Sequence, residues 1–291
     1  MRCDLLSARA LRPLGAGVLL VAASVMLAGC GGGLNPFKSK KAEQPVGDSR
    51  PPEVIYGEAE TLLNEQDWKD AAKKYEDVDV NHPYSTEARR AIVMSAYAYY
   101  KNGKYPEAIS AGKRYLTLHP GTDEAPLAQN IIAMAYYDQV LDPKRDQTNA
   151  RESLNAYETL VQRYPTSRYS AEARNRILIL RNLLAANSMT IGRYYLRDHD
   201  YLAAINRFRD VVTEYQQTEQ VEEALMRLTE AYLALGIVNE AETAAAVLGH
   251  NFPNSKWYQK SYSLLQKAGR SPHEHAGSWI TQTFRGEGNP A

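Results

Sequence analysis

Cysteine is nearly absent from this sequence of 291 residues, and the two that occur are Cys3 and Cys30. Because no thiol follows residue 30, a fold stapled by disulfides is excluded for the rest of the chain. Whatever folds there must be stabilised by packing alone.

An excess of charge and the motifs of catalysis are also missing. Lys and Arg number 34, as do Asp and Glu, so the formal net charge is +0, whereas nucleic-acid binders are usually strongly basic. No G-x-S-x-G, HExxH, CxxC or phosphate-cradling glycine loop occurs. We therefore predict no catalytic residue, no metal site and no cofactor other than lipid.

The sequence has one long apolar run, from Leu14 to Gly29. It follows three basic residues, Arg2, Arg9 and Arg12. A membrane-spanning helix needs about 20 apolar residues, and this run is shorter and ends in small residues. A basic start followed by a short apolar segment is typical of a secretory signal. We predict a signal peptide over residues 1–29, whose removal leaves a formal charge of −2.

Cys30 closes this run in the stretch "LAGCGGG", which resembles the lipobox of bacterial lipoproteins. The alternative, a buried free cysteine, fits poorly with the Gly-, Pro-, Lys- and Ser-rich stretch that follows. The resemblance implies diacylglycerol on the Cys30 thiol and an acyl chain on its amine, and two chains give stable anchoring. Gly31, where an Asp would favour inner-membrane retention, implies the outer membrane. Residues 30–52 are expected to form the lipid anchor and a flexible tether.

Beyond the tether the chain repeats itself. Five segments carry a small residue at one place and end at a second place, mostly proline, and the two places keep the same spacing throughout. The small-residue places are Ala71, Ala108, Ser153, Ala204 and Ala241, and the end places are Pro83, Pro120, Pro165, Gln216 and Pro253. Another helical pattern precedes most segments, with a small residue and Tyr, as at Ala96 and Tyr99.

This pattern resembles the tetratricopeptide repeat, a helix-turn-helix unit of about 34 residues. Gly112 and Ala245 depart from it where an aromatic is usual, Leu141–Asn149 forms an insertion, and Ser170–Arg197 predicts one extra-long helix or two stacked ones. We predict an all-α fold: a right-handed superhelical solenoid of about five repeats over residues 53–268, with Ser255–Lys267 as a C-terminal capping helix. Residues 269–291 are expected to be a mobile tail.

Histidines and arginines are the remaining candidates for function. His82, His119 and His250 lie at repeat ends, where the helix dipole favours them, and His273 and His275 in the tail make only a weak metal site. Arginines concentrate around the long central pattern. They form either a solvated helix face or a docking surface for an acidic partner, and the partner-binding candidates are Arg193, Arg197 and Arg207.

The chain resembles the BamD family, also called YfiO or ComL, of the outer-membrane β-barrel assembly machinery. The resemblance rests on the lipobox, the tether, the five repeats and the widened third repeat. The resemblance implies a periplasm-facing scaffold without enzymatic activity. Its carboxyl half would contact the POTRA domains of BamA, and its amino half would offer a groove to unfolded barrel precursors and other lipoprotein subunits. The alternative is a repeat lipoprotein that tethers or regulates a cell-wall enzyme, since one fold hosts many functions.

Lipidation is tested by Cys30→Ala, with Cys3→Ala as the control because Cys3 leaves with the signal. Cys30→Ala is expected to give an uncleaved or soluble protein, since it removes the thiol that accepts the lipid. Mass spectrometry of the mature amino terminus reads this out. A wild-type terminus without diacylglycerol on Cys30 would contradict the prediction.

Overall fold

A computed structural model describes residues 47–286, and in that range the chain forms twelve α-helices. They are α1 (Pro52–Asn64), α2 (Trp68–Asn81), α3 (Thr86–Lys101), α4 (Tyr105–Leu118), α5 (Ala125–Tyr137), α6 (Thr148–Arg163), α7 (Ser170–Arg197), α8 (Tyr201–Glu214), α9 (Gln220–Ala234), α10 (Val238–Asn251), α11 (Lys256–Lys267) and α12 (Trp279–Arg285).

Helices α1 to α10 form five successive pairs, and each helix packs against the next one along the chain. We call the first helix of each pair the A helix and the second the B helix. Helix α11 packs against α9 and α10 and closes the array. The all-α solenoid of five repeats with a capping helix is confirmed.

The register predicted from the repeated alanines is correct. Each of the five small-residue places lies on a B helix and is 0% exposed: Ala71, Ala108, Ser153, Ala204 and Ala241. Each B helix also ends two residues before its predicted end place, including α8, where Gln216 stands instead of proline. The stop at Glu214 therefore does not require proline.

The turn from A helix to B helix is the same in four of the five repeats. A residue with positive φ lies two residues before each B helix: Gln66 (63°), Gly103 (70°), His199 (62°) and Gly236 (73°). The next residue donates its N–H across the turn to the last turn of the A helix, as from Asp67 to the Leu62 carbonyl at 2.9 Å. This is the Schellman arrangement that ends helices. The third repeat carries the insertion instead.

Small residues bring the helices together at three places where a Cβ would clash with a large side chain, one of them Gly249 of α10 against Tyr258 of α11. A Cβ at Gly192 of α7 would lie 2.5 Å from the Phe208 ring of α8. One at Gly112, where an aromatic is missing, would lie 2.8 Å from Ile132 of α5. In each case the large side chain of the neighbouring helix fills the space beside the glycine. In the irregular second repeat, Ile132 of the third repeat therefore takes the place of the missing aromatic.

The middle of the array contains the predicted long helix, α7, as one continuous helix of 28 residues. The insertion before α6 is ordered by its own hydrogen bonds. Gln147 is buried, and its Nε2 donates to the carbonyls of Asp142 (3.0 Å) and Arg145 (2.9 Å). Asn187 of α7 donates to the Pro143 carbonyl. The widened repeat is thus tied to the centre of the long helix.

The last residues of the predicted tether are held against the first repeat. Arg50 forms ion pairs with Asp48 and Glu58, and its guanidinium lowers the pKa of Asp48 to about 2. The Nε2 atom of His82 lies 2.7 Å from the Arg50 carbonyl. Residues 47–51 therefore differ from the flexible tether predicted for 30–52, and α1 begins at Pro52.

The prediction of a mobile tail over 269–291 is wrong for residues 270–286. The buried Ile280 and Thr281 pack onto the last repeats, and Trp279 Nε1 donates to the Tyr232 hydroxyl at 2.9 Å. Ser278 Oγ donates to Glu240 at 2.6 Å. Apolar side chains at helical spacing are the reason, since Trp279, Ile280 and Phe284 join the core of repeats four and five. We call residues 270–286 the C-terminal clasp.

The shared turn geometry predicts opposite effects from two substitutions. Gly236→Ala forces a Cβ into the left-handed region, where nothing lies within 4 Å of it, and should lower the free energy of unfolding by about 1–2 kcal/mol. Gln66→Gly should raise it by up to about 1 kcal/mol, since it removes that backbone strain. Urea unfolding measures both. Changes of the same sign would contradict the shared geometry.

The C-terminal clasp predicts a local effect from Trp279→Ala. Loss of the indole removes both apolar contact and the hydrogen bond to Tyr232. Because Trp279 is partly buried, the cost should be less than the roughly 3–5 kcal/mol of a fully buried Trp to Ala change. Amide hydrogen exchange should accelerate in residues 278–285 and stay unchanged in α2. Val80→Ala, at a side chain 76% exposed, is the control. Unchanged protection of residues 278–285 in Trp279→Ala would show that the clasp does not depend on Trp279.

Candidate partner-binding surfaces

The predicted lipidation site, Cys30, lies outside the described residues, as do the signal peptide, residues 30–46 of the tether and residues 287–291. Lipidation therefore remains a prediction. Within residues 47–286 no helix is long and apolar enough to cross a membrane.

Metal-ligating side chains do not gather in the described part of the chain, where no group of three His, Cys, Asp or Glu residues could hold an ion. His82 and His119 follow the last residues of α2 and α4. In the C-terminal clasp, His275 Nε2 lies 3.0 Å from Glu242, whereas Glu274, between the two histidines, pairs with Arg285 at 2.9 Å. The clasp histidines thus contribute to packing against α10.

Arg193 bridges two helices of the repeat array with a partly exposed guanidinium. Its Nη1 lies 2.9 Å from Glu223 of α9, whose side chain is 13% exposed, and Arg227 Nε lies 3.3 Å from the same carboxylate. Removing one partner of such a half-buried cluster leaves charge uncompensated. Arg193 therefore joins α7 to α9, which gives it a structural role within the array.

Arg197 and Arg207 are exposed, as a partner-binding role requires. Arg197 lies over the Tyr194 ring at 5.6 Å, a cation–π contact at the end of α7. Arg207 is loosely paired with Asp210 at 3.9 Å, while the next residue, Phe208, points into the core and is 0% exposed. The expected outward direction of Arg207 is seen. Its binding partner is untested.

A set of exposed apolar side chains lies at the A-to-B turns of repeats four and five. Its members, which we call the turn-edge patch, are Tyr194 (53% exposed), Leu202 (64%), Leu235 (38%) and Ile237 (41%). Each lies in or next to the last turn of an A helix or the first turn of the following B helix. They therefore share one edge of the array with Arg197. Exposed apolar groups rimmed by charge are typical of protein–protein contacts.

The amino half contains a cavity of about 220 Å³ between α2, α3 and α4. Asp79, whose side chain is 9% exposed, forms an ion pair with Arg114, and the Tyr99 hydroxyl donates to Glu76 at 2.7 Å. Burial, together with the bond to Glu76, raises the pKa of Tyr99 above its ordinary value, so the phenol stays a donor. Apolar lining comes from Ile92 and Ala111. This cavity offers both hydrogen-bonding and apolar contacts.

Sequence reasoning missed the turn-edge patch and the cavity. The signal for the patch was an apolar residue beside each turn, at Leu202 and Ile237, where solvated residues would be polar. The cavity had no local signal, because its lining comes from three helices that only packing brings together.

Comparison with known proteins gives the family. The model of the YfiO family, described as "Outer membrane lipoprotein", matches residues 48–248. The outer membrane protein assembly factor BamD of Caulobacter vibrioides is 41% identical over 256 residues, which cover 87% of this chain and 81% of that protein. BamD of Rickettsia prowazekii is 33% identical, covering 85% of this chain and 95% of that protein. The TPR2AB domain of yeast Sti1 is similar to 75% of this chain at 14% identity, covering 86% of its own chain, with a TM-score of 0.38. The match over most of the chain at this level of identity means that it belongs to the YfiO family, together with the BamD proteins.

Proposed function

We propose that this protein is a lipid-anchored, periplasm-facing scaffold of the outer-membrane β-barrel assembly complex. The observation that carries the proposal is 41% identity over 87% of the chain to a relative named an outer membrane protein assembly factor. In this proposal Cys30 is acylated and its lipid chains anchor the protein in the membrane, while residues 31–46 link Cys30 to the repeats. The protein acts by holding partners at fixed positions, not by catalysing a reaction.

The carboxyl half is proposed to bind the POTRA domains of BamA. Support comes from the turn-edge patch, which combines apolar area with the exposed Arg197, and from Arg207, exposed on α8. Arginine suits interface centres because its planar guanidinium can bind a carboxylate through two hydrogen bonds. In this proposal Arg207 docks against an acidic residue of a POTRA domain.

The amino half is proposed to receive unfolded barrel precursors. The cavity between α2, α3 and α4 supports this, since it presents carboxylates, Arg114 and the Tyr99 hydroxyl beside apolar Ile92. An extended chain carries unpaired backbone donors and acceptors that need such partners. The lining can therefore accept a segment without a fixed sequence.

Arg207→Ala tests the POTRA contact. If the guanidinium is buried in the interface, its loss should cost roughly 2–5 kcal/mol, whereas an exposed ion pair is worth only about 0–1 kcal/mol. Binding to purified POTRA domains of the cognate BamA, measured at low and high salt, is expected to weaken by about tenfold or more while the thermal melt stays unchanged.

Arg90→Ala is the matched control for Arg207→Ala. Arg90 lies on α3 of the amino half and is likewise exposed, with a single loose ion pair to Glu124 at 3.7 Å. Its variant should bind POTRA domains like the wild type. Affinity of Arg207→Ala within about twofold of the wild type would reject Arg207 as an anchor, because a buried pair is worth more than that.

Affinity capture from solubilised envelopes separates the proposal from the cell-wall alternative. Co-purification of barrel-assembly subunits is the expected result. Recovery of peptidoglycan hydrolases or synthases without those subunits would instead favour the alternative.

A further inference from the structure

A second groove lies at the carboxyl end of the array, between the A helix α9 and the capping helix α11. Its volume is about 480 Å³, and its polar lining contains four cationic side chains and one carboxylate: Arg227, Lys256, Lys260, Lys267 and Glu230. The apolar part of the lining includes Met226 and Leu264. We call this the α9–α11 groove.

The sequence of α11 produces this lining by helical periodicity. Lys256, Lys260, Ser263, Leu264 and Lys267 recur at intervals of three or four residues, so they share one face of the helix. The opposite stripe, with Ser261 and Leu265, is 0% exposed and packs against the last repeat. Capping the array therefore leaves a row of lysines on the exposed side of α11, next to Arg227 and Glu230 of α9.

Three of the four cations lie around one indole ring, that of Trp257 on α11. Around the Trp257 ring lie Lys260 Nζ at 4.3 Å, Lys256 Nζ at 5.3 Å and the Arg227 guanidinium carbon at 5.8 Å from its centroid. Cation–π attraction offsets part of the repulsion between these groups. Positive charge is thus concentrated at a partly buried aromatic residue.

The lysines of the groove have no carboxylate partner within the described residues. Arg227 is paired with Glu223 at 3.3 Å and Glu230 at 2.9 Å, whereas Lys256, Lys260 and Lys267 form no ion pair across residues 47–286. Like charges on neighbouring side chains repel one another, and an anion bound between them removes that repulsion. The groove is therefore electrostatically complementary to an acidic ligand.

We propose that the α9–α11 groove binds an acidic protein segment that carries an apolar side chain. Carboxylates of the segment pair with Lys256, Lys260 and Lys267, and its apolar side chain lies against Leu264 and Met226. This occupant fits better than an anionic membrane surface because the lining also contains the carboxylate Glu230, which lipid headgroups would meet with like charge, and the apolar Leu264 and Met226. The site is separate from Arg207 on α8, so it does not depend on the POTRA contact.

Fluorescence anisotropy with a labelled synthetic peptide tests the site on the full folded chain. The probe alternates Asp and Glu around a central Leu-Phe pair, and its partner peptide has Asn and Gln at the acidic positions. The wild type should bind the acidic peptide and lose affinity as salt rises, since salt screens exposed charge. The amide peptide should bind at least about tenfold more weakly, because it lacks the charge that the lysines attract.

The triple variant Lys256→Gln/Lys260→Gln/Lys267→Gln should weaken acidic-peptide binding by at least about tenfold, because the pairing charges are gone. Its control, Lys69→Gln/Lys73→Gln/Lys104→Gln, removes the same charge from exposed positions of the amino half and should leave binding within about twofold, as for surface charges. All six lysines are exposed, so both triples should melt like the wild type.

Three outcomes would overturn the proposal. The first is no binding of the acidic peptide even at low salt, and the second is equal loss of affinity in both triple variants. The third is binding of phosphatidylglycerol vesicles that requires Lys256, Lys260 and Lys267 while the acidic peptide does not bind, which would assign these lysines to a lipid surface. A failure of Arg207→Ala to affect POTRA binding has no bearing on any of these results.

Discussion

The close approach of paired helices at small residues is the constraint on which the rest of this structure depends. Where α7 presents Gly192, the Phe208 ring of α8 occupies the space that a Cβ would need. Ala204, on the same B helix, is 0% exposed. Because no thiol follows Cys30, this interlocking of aromatic and small side chains takes the place of covalent staples. Overpacking such contacts typically costs about 1–3 kcal/mol.

Local patterns of sequence predicted the elements whose determinants are local. The buried alanine places, the ends of the B helices and the bounds of α7 all follow from helical periodicity and stop signals, so they could be read directly. The positive φ of Gln66 and His199 could not be predicted, because neither residue is glycine. Glycine is the usual sequence signal for a positive φ, and only the equivalent Gly103 and Gly236 carry it. The shared turn imposes that conformation on them.

Contacts between distant residues could not be predicted from the sequence. The sequence of residues 269–291 is polar and typical of a loop. Trp279 nevertheless donates a hydrogen bond to Tyr232, and Ser278 donates one to Glu240, on helices about 40 residues or more earlier in the sequence. The same limit applies to the candidate sites. Arg207 was correctly expected to face outward from its position beside Phe208, but Arg193 is engaged by Glu223, thirty residues away, and no local pattern indicates that.

The two ends of the array offer surfaces of opposite character. The charged lining of the cavity in the amino half is mostly acidic, with Glu76, Asp79 and Glu107 against Arg114 as the one cation among its lining residues. The charged lining of the α9–α11 groove is mostly basic, with Arg227 and three lysines against Glu230. Like-charge contact disfavours a wrong partner, so the two sites are complementary to ligands of opposite charge.

Helix α7 belongs to two cores at once. Ala173, Ile177, Leu180 and Leu184 pack into the core of the third repeat, while Ala185, Met189 and Leu196 pack into the core of repeats four and five. At 28 residues the helix is about 42 Å long, and no loop interrupts it between the two cores. A bend between the third repeat and the last two would therefore have to break helical hydrogen bonds of α7 or open one of the two cores.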